Sequence, residues 1–114
     1  MKSDPRQTYR SRNTRSNEWS ITAWPTDNFV RSAATLRQVR EEASQLLVPG
    51  MTLGMDSETV PPGGRASLVA FTFGPEHRPL PFEDVLDWLR GHPWVRVIEI
   101  EHYLSASVNS RDDG

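Results

Sequence analysis

The 114-residue sequence predicts a single α+β domain of ferredoxin-like type, a βαββαβ chain in which four antiparallel strands carry two helices on one face. Three observations point there. Four segments alternate apolar and polar residues with a period of two, and two others repeat apolar residues every three or four positions. Their order along the chain is strand, helix, strand, strand, helix, strand. Right-handed crossovers then place the four strands in the order 4-1-3-2.

The first strand is EWSITAWP, where Trp19, Ile21 and Ala23 alternate with Ser20, Thr22 and Trp24 and Pro25 ends the ladder. Thr26, Asp27 and Asn28 offer helix-capping side chains. From Phe29 the apolar positions Val30, Ala33, Ala34, Leu36, Val39, Ala43, Leu46 and Leu47 form one helical stripe, and Pro49-Gly50 stops it. MTLGMD is a short second strand, and SETVPPGG is a loop punctuated by prolines and glycines. RASLVAFTF is the strongest strand; both its faces are apolar, which predicts a central position. A proline loop leads into FEDVLDWLRGHP, a helix with Phe82, Val85, Leu86 and Leu89 as its buried stripe. WVRVIEIEHYL is the last strand, with Glu99, Glu101 and Tyr103 on one face and Ile98, Ile100 and His102 on the other.

The expected organisation is a disordered basic arm over residues 1–17, one domain over 18–106, and a polar tail over 107–114. Residues 1–20 hold five basic groups against two acidic ones, a balance of +3; the remainder holds eight against thirteen, a balance of −5. A basic arm is thus joined to an acidic body. Residues 1–16 bury so little that their removal is expected to leave the melting temperature nearly unchanged. There is no cysteine, hence no disulfide or thiolate chemistry. No apolar run is long enough to span a bilayer, and Lys2 is followed by no signal-type apolar stretch, so the expectation is a cytoplasmic protein with no membrane partner.

Chemistry-bearing patterns are sparse. His77, His92 and His102 lack metal-ligand spacing, and His92 sits where it favours a helix C-terminus. Glu99 and Glu101 lie about 7 Å apart along one strand face, and guard a solvated sheet better than they perform acid–base work. Ser57, Ser67 and Ser105 have no nucleophile-elbow context, and VPPGGRAS is not followed by a phosphate-binding helix. The stretch Arg65-Ala66-Ser67-Leu68-Val69-Ala70-Phe71-Thr72 has a basic first residue but lacks the stacking aromatics of an RNA-recognition motif. No cofactor, no metal site and no catalytic residue is expected.

What remains is surface. Helices on one side leave the other sheet face open, with Trp24, Leu68, Ala70, Ile98 and Ile100 on it if Trp19, Ile21, Val69 and Phe71 face the helices, or the reverse. The interface residues expected are Trp24, Ile98 and Ile100, the carboxylates Glu99 and Glu101 of the acidic surface and, on the second helix, Trp88. An exposed patch bearing tryptophan marks an interface. The expected function is therefore a small non-catalytic binding or regulatory protein of the inhibitor, immunity or adaptor kind, joined to a protein partner or to a second copy as a homodimer. The open edges expected are MTLGMD and WVRVIEIEHY. Nucleic acid is the second class of partner, gripped by Arg6, Arg10, Arg12 and Arg15; the same arm is also able to dock on the acidic body itself. A small dimeric enzyme with a pocket between sheet faces is the third class.

Overall fold

The computed structural model describes residues 5–14, 16–29, 32–55 and 67–105. The ends of the expected arm at residues 1–4 and 15, the SETVPPGG loop and the tail from residue 107 lie outside them. The elements are β1 (Gln7–Thr14), β2 (Glu18–Pro25), α1 (Ala33–Ser44), β3 (Thr52–Gly54), β4 (Val69–Phe73), a 3-10 turn (Pro75–His77), α2 (Phe82–Arg90) and β5 (Val95–Ser105).

The sheet overturns the expected fold. Among the described residues it has five strands in the order β1-β5-β2-β4-β3, and it is mixed, because β1 runs parallel to β5 while every other pair is antiparallel. It is not a four-stranded antiparallel ferredoxin-like sheet. The additional strand comes from the stretch read as a polar arm. Its residues show no apolar periodicity because the strand forms by pairing, not by burial: Gln7 to Thr14 match Ile98 to Ser105 residue for residue. This also moves an edge. β5 lies inside the sheet, and β1 and the three-residue β3 are the edges.

Cross-strand rows separate the two faces. On one face Tyr9, Ile100, Ile21, Phe71 and Leu53 stand side by side across all five strands. The neighbouring row is Gln7, Ile98, Ala23 and Val69, and the next is Ser11, His102, Trp19 and Phe73. Both helices cover this face: Ala43 of α1 and Phe82, Val85, Leu86 and Leu89 of α2 join Ile21, Phe71, Phe73, Ile98 and Ile100 in one buried cluster. The stripe expected on the second helix is the buried one, while of the first helix's stripe Leu36, Val39 and Ala43 are buried and Ala33 and Ala34 are exposed. The start of α1 is later than expected. Thr26, Asp27 and Asn28 form a turn closed by Phe29 N–H on the Thr26 carbonyl, and the cap is Ser32, whose Oγ accepts from the Thr35 N–H.

The opposite face is polar. Its rows are Thr8, Glu99, Thr22, Ala70 and Gly54, then Arg10, Glu101, Ser20, Thr72 and Thr52. Ile98 and Ile100 are absent from it, being fully and almost fully buried on the helix side. No helix among the described residues is long and apolar enough to cross a membrane.

Candidate functional site

The open face gathers three of the six expected interface residues. Trp24, next to last in β2, stands opposite Val97, and its indole Nε1 donates to Oε1 of Glu99 on β5 at 3.1 Å. Trp24, Arg96, Val97 and Glu99 line an open depression of about 330 Å³. It has an aromatic wall, an aliphatic floor, a guanidinium and a carboxylate. Arg96 is held there only loosely, by Nε donating to the Pro25 carbonyl at 3.4 Å.

Along the same face Glu101 is the hub of a second cluster. The Tyr103 hydroxyl donates to its Oε1, and Arg10 Nη1 and Arg12 Nε approach its Oε2 at 3.5 and 3.3 Å. The hydrogen bond to the Glu101 carboxylate, helped by burial, holds the Tyr103 phenol above its ordinary range. Arg10 and Arg12 remain 55% and 53% exposed in their side chains. The arm thus docks on the chain's own acidic strand. Arg6 goes further: its guanidinium donates to the carbonyls of Arg90, His92 and Val95 at 2.8, 3.3 and 3.2 Å, just where α2 ends. The Arg90 carbonyl closes α2 and has no partner within the helix, while those of His92 and Val95 lie in the turn and the start of β5, so the contact ties the chain before β1 to the negative end of α2. Arg15 lies outside the described residues.

The remaining candidates fall on the helix side. Ile98 and Ile100, expected on the open face, are core residues. Alternation along β5 is intact; what differs is the choice of face, since Ile98 pairs with Ala23 and Ile100 with Ile21. Trp88 is half-buried, with its ring edge on Phe71 and its Nε1 donating to Oε1 of Glu42 at 3.1 Å. His92 joins the same carboxylate through Nε2 at 3.3 Å, while Nδ1 meets the Trp88 carbonyl at 2.6 Å. Hydrogen bonds from Gln38 and Trp88, then from His92, hold the Glu42 carboxyl below its usual range. Trp94 packs on both His92 and Trp88, and Phe29 on Trp94. Glu42 and His92 form an imidazole–carboxylate pair; Glu42 also accepts from Gln38 and from the Trp88 indole, and His92 also meets the Trp88 carbonyl, so together they bolt α1 to α2.

The other two histidines are also occupied. Buried His77 accepts at Nδ1 from the Gly74 N–H at 2.8 Å, so its proton is on Nε2, which donates to the Pro49 carbonyl at 3.1 Å. His102 stacks on Trp19 at 3.9 Å and meets Asn17 Oδ1 through Nε2. Trp19 and Phe82 in turn flank the Arg78 guanidinium, at 4.6 and 4.4 Å from the ring centroids. Among the described residues no group of three or more His, Asp or Glu side chains is arranged to hold a metal ion.

Sequence reasoning placed His92 at the end of the second helix, where its Nδ1 meets the Trp88 carbonyl, but missed its contact with Glu42 and the roles of Arg6 and Tyr103. Tyr103 carried a usable signal, being two residues from Glu101 on one strand face. Glu42 and His92 are fifty residues apart, and nothing local announces their contact. Comparison of the chain with protein-family models, with curated proteins and with solved structures returns no match.

Proposed function

We propose that this chain is a small non-catalytic binding protein whose working surface is the open face of the sheet. The observation that carries the reading is the juxtaposition of Trp24, Arg96, Val97 and Glu99 on a face that neither helix covers. A half-buried tryptophan beside a guanidinium and a carboxylate is the composition of an interface anchor, in which the ring supplies apolar area and the charges set orientation. The polar rows of Ser and Thr around it suit a surface that is wet when free and dry when bound.

The apolar sheet patch that motivated a homodimer is not present among the described residues, because Ile98 and Ile100 belong to the core. A partner of different sequence is therefore the better reading. The test is affinity capture from the cells of origin with cross-linking, comparing wild type with Trp24→Ala and Glu99→Lys. The expected result is a protein recovered by wild type and lost with both variants at unchanged melting temperature. Identical recovery by all three chains overturns the reading.

A further inference from the structure

We infer that the outer edge of β1 accepts an extended acidic segment of a partner protein as a sixth strand. This rests on the binding reading above and names where the partner engages and with what chemistry. Among the described residues β1 is paired on one side only. Ile98 lies opposite Gln7, and its N–H donates to the Arg6 carbonyl at 3.0 Å. In a parallel ladder a residue bonds to the two neighbours of its opposite number, so Arg6, Thr8, Arg10 and Arg12 direct their backbone groups at β5. With a period of two, Tyr9, Ser11 and Asn13 direct theirs outward. These outward groups sit in a row on a strand whose side chains from Thr8 to Asn13 are all exposed. Such an edge is a template for strand addition.

Charge selects the occupant. Arg10 and Arg12 share one carboxylate, Glu101, so this edge keeps one positive charge in excess. A second copy pairing β1 with β1 about a two-fold axis brings arginine against arginine, which is destabilising. A strand with carboxylates at alternate positions instead sets them beside Arg10 and Arg12. Its intervening residues then fall beside Tyr9, the most exposed large apolar side chain among the described residues. The matching partner alternates acidic and apolar residues. A nucleic acid uses the arginines but leaves the outward backbone groups unsatisfied.

The test is fluorescence anisotropy with three labelled probes: an eight-residue peptide alternating valine and glutamate, the same peptide with lysine for glutamate, and a single-stranded oligonucleotide. The glutamate peptide is expected to bind with a Kd of about 10–100 μM, and the lysine peptide not to bind. Ser11→Pro removes an outward N–H while leaving the ladder to β5 intact, and is expected to weaken binding about tenfold or more. N-methylation of the peptide's backbone amides is expected to do the same without altering the protein, should Ser11→Pro disturb β1. Arg10→Gln with Arg12→Gln is expected to flatten the salt dependence. No binding of the glutamate peptide at about 1 mM, binding indifferent to N-methylation, or oligonucleotide binding that exceeds it and needs only the arginines, each overturns the inference. If the peptide fails while capture remains dependent on Trp24, the open-face reading stands and the edge inference alone falls. Peptide binding without Trp24-dependent capture keeps the edge and removes the open face.

Discussion

β1 and β4 belong to one sheet yet are held by different physics. β4 is VAFTF, with Val69, Phe71 and Phe73 fully buried against the helices. β1 is QTYRSRNT, exposed along nearly its whole length. β4 stays because leaving would return a large apolar area to water. β1 stays because its backbone groups pair with β5, because Arg6 caps α2 and because two arginines reach Glu101. The first mechanism tolerates no change of side chain. The second is nearly indifferent to side chains away from its few anchors, and it is the more easily displaced.

The largest effect is expected at the centre. Phe71→Ala removes a buried ring that packs near Phe73 and Trp88, and should cost about 3–5 kcal/mol in urea unfolding. A loss below about 1 kcal/mol would put Phe71 outside the core and erase the contrast.

Deleting residues 1–14 tests the other side. From the sequence, removal of the arm is expected to be nearly silent, because it buries almost nothing. The structure changes the expectation. The strand's hydrogen bonds contribute about 1 kcal/mol each and ordering its backbone costs about as much per residue, so the two nearly cancel. The anchors at Arg6 and Glu101 are left as the net gain. A loss of about 1–2 kcal/mol is expected, together with self-association in sedimentation, because β5 becomes a long open edge. A deletion as costly as Phe71→Ala, or one without any cost, breaks the comparison.

The same contrast explains what was legible. Segments stabilised by burial declare themselves through periodicity, and so β2, β4, α2 and the alternation of β5 were readable from residues alone. β1 is stabilised by pairing with residues more than ninety positions away. Pairing leaves no apolar signature, so the strand resembled a solvated tail and the fold class was missed with it. The face of Ile98 and Ile100 was an even choice until their opposite numbers, Ala23 and Ile21, were known. Of the expected site, Trp24, Glu99 and Glu101 do share the open face. Arg10 and Arg12 reach Glu101, and Trp24 reaches Glu99, across strands, where local spacing carries no information.

Glu101→Gln sharpens the account of how β1 is anchored. It removes the charge that Arg10 and Arg12 share and replaces the carboxylate that accepts from Tyr103 with a neutral amide. Because these arginines are more than half exposed, solvent screens the pairs, and the stability loss should stay below about 1 kcal/mol. The clearer readout is optical. With Glu101 present, the Tyr103 phenol ionises above the ordinary range, so its contribution to stability is complete below about pH 10 and is lost as pH rises through the folded value. Ultraviolet titration of wild type and Glu101→Gln should show that phenolate appearing earlier in the variant. Coincident curves would mean that Tyr103 does not lean on Glu101.

The smallest effect is expected far from β1, where α1 meets α2. Glu42 accepts from the Trp88 indole and from Gln38, with His92 behind them, and these donors hold its carboxyl below the usual range. A carboxyl whose folded value is depressed binds its proton later than it does in the unfolded chain. Its contribution to stability is therefore present above the unfolded value of about 4.3 and is lost as pH falls through the lower, folded one. Glu42→Gln keeps the shape but not the charge. Over a third of the carboxylate's surface is exposed, so solvent discounts the interaction and the cost at neutral pH should be a few tenths of a kcal/mol. Stability curves of wild type and variant should run parallel from neutrality down to about pH 5 and converge in acid, below the unfolded carboxylate value. Curves that stay apart at pH values where both chains are fully protonated would show that the variant acts through packing against Trp88. The helix junction would then belong with β4, held by fit, and not with β1, held by a few polar anchors.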